Sequence, residues 1–312
     1  MSKISFGILT PQMSRDYETI LRIWTEAEVA GFNSAWVVDH LIPYDYPNSP
    51  ITDSMLECWV TLSALSRDTR RIKLGPLVSC NSYRQPQLLA KMASSLDVIS
   101  HGRLNFAIGA GWLQLEHEAY GYPFPSTTER IERLGEAIDI IKRLWTQEKA
   151  TFKGRYYNIK DAVNFPKPIQ KPHPQIHIGG EHERAVKFAA NHANVWNFPS
   201  DINAYTVAEY QARVAILEEE CSKIGRDPRE IQRSWLGLSI VASSQSEINK
   251  RCKLLTLGRE KLSNEIVGSP DSCAQRIGEY ADLGVSEFIL IFPENHEIEM
   301  LREFSQEVMP KV

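Results

Sequence analysis

The sequence predicts an α/β protein, a single (β/α)8 TIM barrel spanning residues 1–312. Three observations predict it. Short apolar runs alternate with longer amphipathic stretches, and the alternation can be counted eight times. Glycine or polar residues recur where the apolar runs end, the rim on which barrel sites are assembled. No glycine-rich dinucleotide fingerprint follows the first run, where Thr10-Pro11-Gln12 stands instead. That weakens the rival architecture, a doubly wound open sheet.

Ile4 to Leu9 reads as the first strand. A helix from Asp16 to Ala30 follows, closed by Gly31 one position past its cap, where a left-handed turn suits glycine. Ser34 to Val38 is the second strand and runs into Asp39-His40. A Pro- and Tyr-rich loop, Pro43 to Pro47, precedes a helix from Met55 to Leu65. Ile72 to Val78 is the third strand, Pro86 to Ile99 its helix, and Leu104 to Ile108 the fourth strand. Ser126-Thr127-Thr128-Glu129 matches a capping box, which satisfies two helix-end amides reciprocally. Ile131, Leu134, Ile138, Ile141 and Leu144 then recur at helical spacing. A segment from about 150 to 174 is inserted before the fifth strand. It holds a hairpin, with Thr151-Phe152 and Tyr156-Tyr157 flanking Lys153-Gly154, and a stretch carrying Pro166, Pro168, Pro172 and Pro174. The remaining strands are Gln175 to Ile178, Ala193 to Phe198, Trp235 to Val241 and Glu287 to Phe292. The helices between and after them cover Glu183 to Ala190, Ala204 to Ile224, Ser246 to Leu257, Asp271 to Leu283 and Ile298 to Val308.

Composition narrows the function classes. Hydrophobic residues make up 43% and charged residues 24%, enough for one large core. A net charge of -4 offers no electrostatic footprint for nucleic acid or an anionic membrane. No apolar run approaches the roughly 20 residues that cross a bilayer. The first residues run straight into a strand without a signal-peptide core, so a cytoplasmic protein is expected. Five cysteines, odd in number and without metal spacing, fit reduced thiols. His173 and His177 lie in an extended segment without further ligands, and no metal is expected.

Five strand ends carry candidate chemistry: Asp39-His40, Val78 to Asn81, Gly109 to Trp112, Gly179-Gly180 and Trp196-Asn197. His40 is suited to proton exchange near neutral pH, and Asp39 to orienting a partner. Gly179-Gly180-Glu181-His182-Glu183 lies at a strand-to-helix junction, where bare amides and the helix dipole attract a phosphate. A tight βα turn asks for the same two glycines. Tyr44, Trp112 and Trp196 are candidates to line a substrate pocket, while Trp36 reads as core.

At these residues the chain resembles the luciferase-like monooxygenase superfamily, in its branch of coenzyme F420-dependent oxidoreductases. The resemblance runs over nearly the whole chain. It is carried by Trp36-Val37-Val38-Asp39-His40, Leu74-Gly75-Pro76-Leu77-Val78 and Leu89-Ala90-Lys91-Met92-Ala93. Further stretches are Asp97 to Leu104, Gly109-Ala110-Gly111-Trp112, Ala119 to Phe124 and Ile176-His177-Ile178-Gly179-Gly180. The resemblance implies a barrel with F420, or alternatively FMN, lying across the strand C-termini, and a homodimer. It also implies a non-prolyl cis peptide at Leu77-Val78. Asp39, Leu77, Val78, Ser79, Cys80, Gly109 and Ala110 would then meet the cofactor, and Gly179, Gly180, His182 and Glu183 its phosphate tail. His40 matches a histidine that family dehydrogenases use near the reacting carbon. The glutamate they pair with it is Trp112 here, which leaves Glu116 and His117 as candidates to replace it.

The expected activity is hydride transfer between F420 and a small organic substrate. An FMN-dependent monooxygenase or reductase is the first alternative, and a non-catalytic flavin or deazaflavin binder the second. A barrel aldolase or isomerase ranks last, because no lysine stands at a predicted strand C-terminus.

Overall fold

The computed structural model describes residues 4–43, 52–200, 205–252, 262, 264–294 and 296–312. The chain runs β1 (Ser5–Leu9), α1 (Tyr17–Val29), β2 (Ser34–Val37), α2 (Cys58–Asp68), β3 (Lys73–Pro76), β4 (Ser79–Cys80), α3 (Pro86–Ile99), β5 (Phe106–Gly109), α4 (Gln114–Ala119) and α5 (Thr127–Thr146). The hairpin strands β6 (Ala150–Lys153) and β7 (Asn158–Ala162) lead to β8 (Ile176–Gly179), α6 (Glu183–His192), β9 (Val195–Pro199), α7 (Val207–Lys223) and β10 (Gln232–Val241). The chain ends through α8 (Gln245–Cys252), β11 (Ile266–Gly268), α9 (Pro270–Ala281), β12 (Val285–Ile291) and α10 (Glu297–Glu307).

Apart from the β6–β7 hairpin, the order along the sheet is β3-β2-β1-β12-β10-β9-β8-β5-β4, with β11 beside β10. Its registers are parallel, and helices separate successive strands, which is the strand order of a (β/α)8 barrel. β3 and β4 are two halves of the predicted third strand. Leu74 bridges to Leu104 and Ser79 pairs with Ile108, so both halves run beside the fourth strand.

The chain forms two compact units. The first comprises Met1–Thr10, Leu21–Trp36 and Ile178–Val312. Its strands are buried on both faces, as the eight consecutive buried residues ending β10 show, and this is why they read as continuous apolar runs. Trp196, Phe198, Tyr210, Trp235, Tyr280 and Phe288 pack ring against ring in its core.

The second unit comprises Pro11–Ile20 and Val37–His177. Phe106 of β5 stacks edge-on against Trp145 of α5, whose indole N–H donates to the Ala90 carbonyl at 3.0 Å. The proline-rich stretch is pinned by buried Asp97, which accepts from the amides of Ile169 (2.7 Å) and Gln170 (3.1 Å).

Two helix starts and the hairpin turn show where local signals depend on their neighbours. At Ser126, the hydroxyl accepts from the Glu129 amide at 3.3 Å. The reciprocal arm is absent there, because the Glu129 carboxylate pairs with Arg133 at 2.8 Å. The complete capping box belongs to Thr206 and Glu209 at the start of α7. In the hairpin, Tyr156 and Tyr157 belong to the turn. Glu136 of α5 accepts the amides of Arg155, Tyr156 and Tyr157, and so lengthens it. Among the described residues no helix is long and apolar enough to cross a membrane.

Candidate active site

In the second unit, two elements of sequence far from each other define where β2 ends. The Gln12 side chain donates to the Val38 carbonyl at 2.8 Å and accepts from the Val38 amide at 2.9 Å. This clamp fixes the backbone from which Asp39 and His40 depart.

Asp39 is 3% exposed and its carboxylate is fully engaged. It accepts from the Ser79 hydroxyl (2.9 Å), the Cys80 amide (2.9 Å) and both terminal nitrogens of Arg84 (2.6 and 3.0 Å). Arg84 also donates to Glu57, the residue that caps α2 through the Val60 amide. Burial works to lower the Arg84 pKa, but Asp39 and then Glu57 more than offset it, and the guanidinium is held above its ordinary value. The buried Cys80 thiol is pushed up to about 12, first by burial and further by the charges of Asp39 and Glu116.

The Leu77–Val78 peptide is cis, as the sequence comparison implies. Leu77 is buried and its amide donates to the Val37 carbonyl at 2.7 Å; Val78 is half-buried. The Val78 side chain lies over Gly109 so closely that a Cβ at Gly109 would fall 2.6 Å from Val78 Cγ2. Gly109, Ala110 and Gly111 are half-buried, so a strip of main chain without large side chains borders Val78.

Glu116 of α4 is fully buried. Its Oε2 lies 2.9 Å from His40 Nδ1 and accepts from the Tyr83 hydroxyl. Its Oε1 accepts from the amides of Leu41 and Ile42, the latter at 3.1 Å. Burial works to raise the Glu116 carboxyl, but His40, Tyr83 and the Leu41 amide outweigh it and hold it below its ordinary value. Tyr83 moves the other way, raised by burial first and then by the acidic groups beside it. Trp112, 58% exposed, sits edge-on to the His40 ring with centroids 5.5 Å apart.

In the first unit, β8 turns into α6 through Gly179-Gly180. Gly180 has φ +142°, and a Cβ there would meet the Ala185 Cβ at 2.5 Å. Its amide donates to the Asn197 carbonyl at 3.1 Å and its carbonyl accepts from the Trp196 indole at 2.8 Å. His182 occupies the cap position of α6 without a side-chain cap bond, and its imidazole is 82% exposed. Glu183 pairs with Lys187 one turn on.

The structure thus brings Asp39, Ser79 and Cys80 into one buried network and places His40 against Trp112. It removes Trp196 from the pocket candidates: the ring is 0% exposed and stacked on Tyr210 at 5.6 Å, where its polarity serves Gly180. Tyr44 lies outside the described residues. His177 is buried on β8, and burial pushes its pKa down to about 3. Among the described residues no cluster of three His, Cys, Asp or Glu could hold a metal ion. Sequence reasoning missed Glu57, Tyr83 and Arg84. The available signal was a Tyr-Arg pair in the short loop between a strand end and Pro86, the first residue of α3.

Known proteins share this architecture. Residues 3–263 match the family model described as luciferase-like monooxygenase. An F420-dependent glucose-6-phosphate dehydrogenase of Microbacterium testaceum is 28% identical over 315 residues, covering 92% of this chain and 90% of that protein. An FMNH(2)-dependent dimethylsulfone monooxygenase of Pseudomonas putida is 28% identical over 289 residues, covering 81% and 78%. An F420-dependent secondary alcohol dehydrogenase, solved with an F420-acetone adduct, superposes with a TM-score of 0.85 at 19% identity, covering 99% of each chain. At that identity the superposition speaks for a shared fold.

Proposed function

The chain belongs to the luciferase-like monooxygenase family, and from that premise we propose that it transfers a hydride between coenzyme F420 and a small organic substrate. One observation carries the reading. A histidine at the end of β2 is bonded to a buried carboxylate and stands beside an exposed indole, next in sequence to the Asp39 network that holds the strand-three loop.

The second unit's residues fit a flat redox ring. Val78 and the bare main chain of Gly109 and Ala110 offer an uncluttered surface on which a ring can rest, and a side chain at Gly109 would displace Val78. Leu77, Asp39, Ser79 and Cys80 support that surface from the buried side, held by the bonds to Val37 and Arg84. When bound, F420 supplies the carbon that gives or takes the hydride. His40 exchanges a proton with the oxygen or nitrogen of the substrate, and Trp112 flanks the reacting group while limiting access of water. In the first unit, the side-chain-free turn at Gly179 and Gly180, with the Gly180 amide taken by Asn197, and the leading amides of α6, at His182 and Glu183, are the proposed phosphate anchor. The F420-dependent relative supports this choice of cofactor, and the FMNH(2)-dependent relative is the specific observation behind the alternative.

Titration of purified protein with F420 and with FMN, followed by turnover on a panel of alcohols, aldehydes, imines and enones, tests the reading. Saturable F420 binding and oxygen-independent hydride transfer are expected. Tight FMN binding with oxygen-dependent turnover, and no response to F420, would replace the F420 reading with the FMN one. Binding without turnover across the panel would favour the non-catalytic alternative.

A further inference from the structure

We propose that Glu116 is a positioning residue: it fixes the tautomer and orientation of the His40 imidazole. The consequence for turnover rests on the oxidoreductase reading above, whereas the coupling of the two residues does not.

Glu116 sits 76 residues from His40, on the six-residue helix α4, and its side chain is fully buried. A carboxylate is tolerated there only if its oxygens are paired. They are paired to four donors that all concern His40 or its immediate setting. Oε2 takes His40 Nδ1 and the Tyr83 hydroxyl; Oε1 takes the amides of Leu41 and Ile42, the two residues directly after His40. One carboxylate therefore holds both the ring and the main chain that carries it. A loop brace would need only the two amides.

Proton inventory gives the chemical meaning. An ionised carboxylate only accepts, so Nδ1 carries the hydrogen toward Glu116, and protons enter or leave the ring at Nε2. The titratable groups beside the pair among the described residues include two that stay neutral and two that bond elsewhere. Tyr83 and Cys80 are raised above their ordinary values and stay neutral, Asp39 is paired with Arg84, and His117 spends Nδ1 on the Leu113 carbonyl at 2.9 Å.

The test uses cofactor-free protein labelled with 15N-histidine, in which the ring signals of His40 are identified by their loss in His40→Asn. The native spectrum should show the Nδ1–H tautomer below saturation by acid. In Glu116→Gln the share of the Nδ1–H tautomer should fall, and Glu116→Asp should recover a substantial part of it. In turnover, Glu116→Gln should lower kcat and leave KM for F420 nearly unchanged. An unchanged His40 tautomer in Glu116→Gln, with only thermal stability reduced, would leave Glu116 a structural brace and overturn the proposal. Should Glu116→Gln not fold, Tyr83→Phe takes its place. Loss of that donor leaves Oε2 to His40 alone and should move the His40 ring 15N shifts; unmoved shifts in a folded Tyr83→Phe would be equally fatal. If the native protein shows the coupling but no F420 turnover, the functional reading fails and the Glu116–His40 pair stands.

Discussion

The end of β2 and the start of α6 are both strand ends on which chemistry was expected, and they are built in opposite ways. At the end of β2 the candidate groups are polar side chains taken out of water, each with a partner: Asp39 with Arg84 and Glu116 with His40. At the start of α6 the proposed anchor is main chain around Gly179 and Gly180, and the side chains of His182 and Glu183 project into solvent. The difference teaches where each region is vulnerable. A buried pair fails when one member is removed, because the other is left charged and unpaired. A main-chain site tolerates side-chain loss and fails when a Cβ intrudes.

The largest expected effect comes from stranding Asp39. Arg84→Met should cost about 3–5 kcal/mol, the range for breaking a buried pair, because both partners are almost inaccessible. Urea denaturation measures it. A loss below about 1 kcal/mol would class the pair with surface bridges and dissolve the contrast.

Gly180→Val comes next. The residue sits at φ +142° and the new Cβ would meet Ala185 at 2.5 Å, so the turn must shift. A cost of about 1–3 kcal/mol is expected for strain and overpacking, with F420 affinity reduced about tenfold in a fluorescence titration; unchanged affinity would remove the phosphate anchor from this turn.

Acid sensitivity sharpens the comparison from the other side. Glu116 has a depressed carboxyl pKa, so its contribution to stability is complete above the ordinary carboxyl value of 4.5 and is lost as pH falls through its own lower value. The stability gap between native protein and Glu116→Gln should therefore be widest near neutral pH and close in acid. A gap that stays constant with pH would mean the carboxyl behaves as an ordinary one.

The smallest effects belong to α6. His182→Ala and Glu183→Ala should leave the thermal midpoint within the error of the measurement and F420 affinity within about twofold, as expected of exposed positions. A tenfold loss from either would shift the anchor from main chain to side chain.

Part of this could be read without coordinates. Short apolar runs and the period-3.6 pattern mark strands and helices from near neighbours alone, so β1, α1, β2 and α3 fall within a few residues of expectation. The same logic has limits even locally. Ser126 and Thr206 each precede a Glu by three positions, yet only Thr206 completes the box, because Arg133 competes for Glu129 at one turn's distance. Trp196 shows a further limit. An aromatic at a strand end reads equally as pocket wall or core, and only the stacking of Tyr210 from α7 decides for core.

What the sequence by itself determined is the barrel class, the position of Asp39-His40 and Gly179-Gly180 at strand ends, and the cis peptide at Leu77-Val78, since each follows from a local pattern or a contiguous resemblance. The tertiary structure alone decided who pairs with whom. Asp39 finds Arg84 across 45 residues, and His40 finds Glu116 across 76. A charge imposes no spacing on its partner; burial does, and burial exists only once the elements have packed.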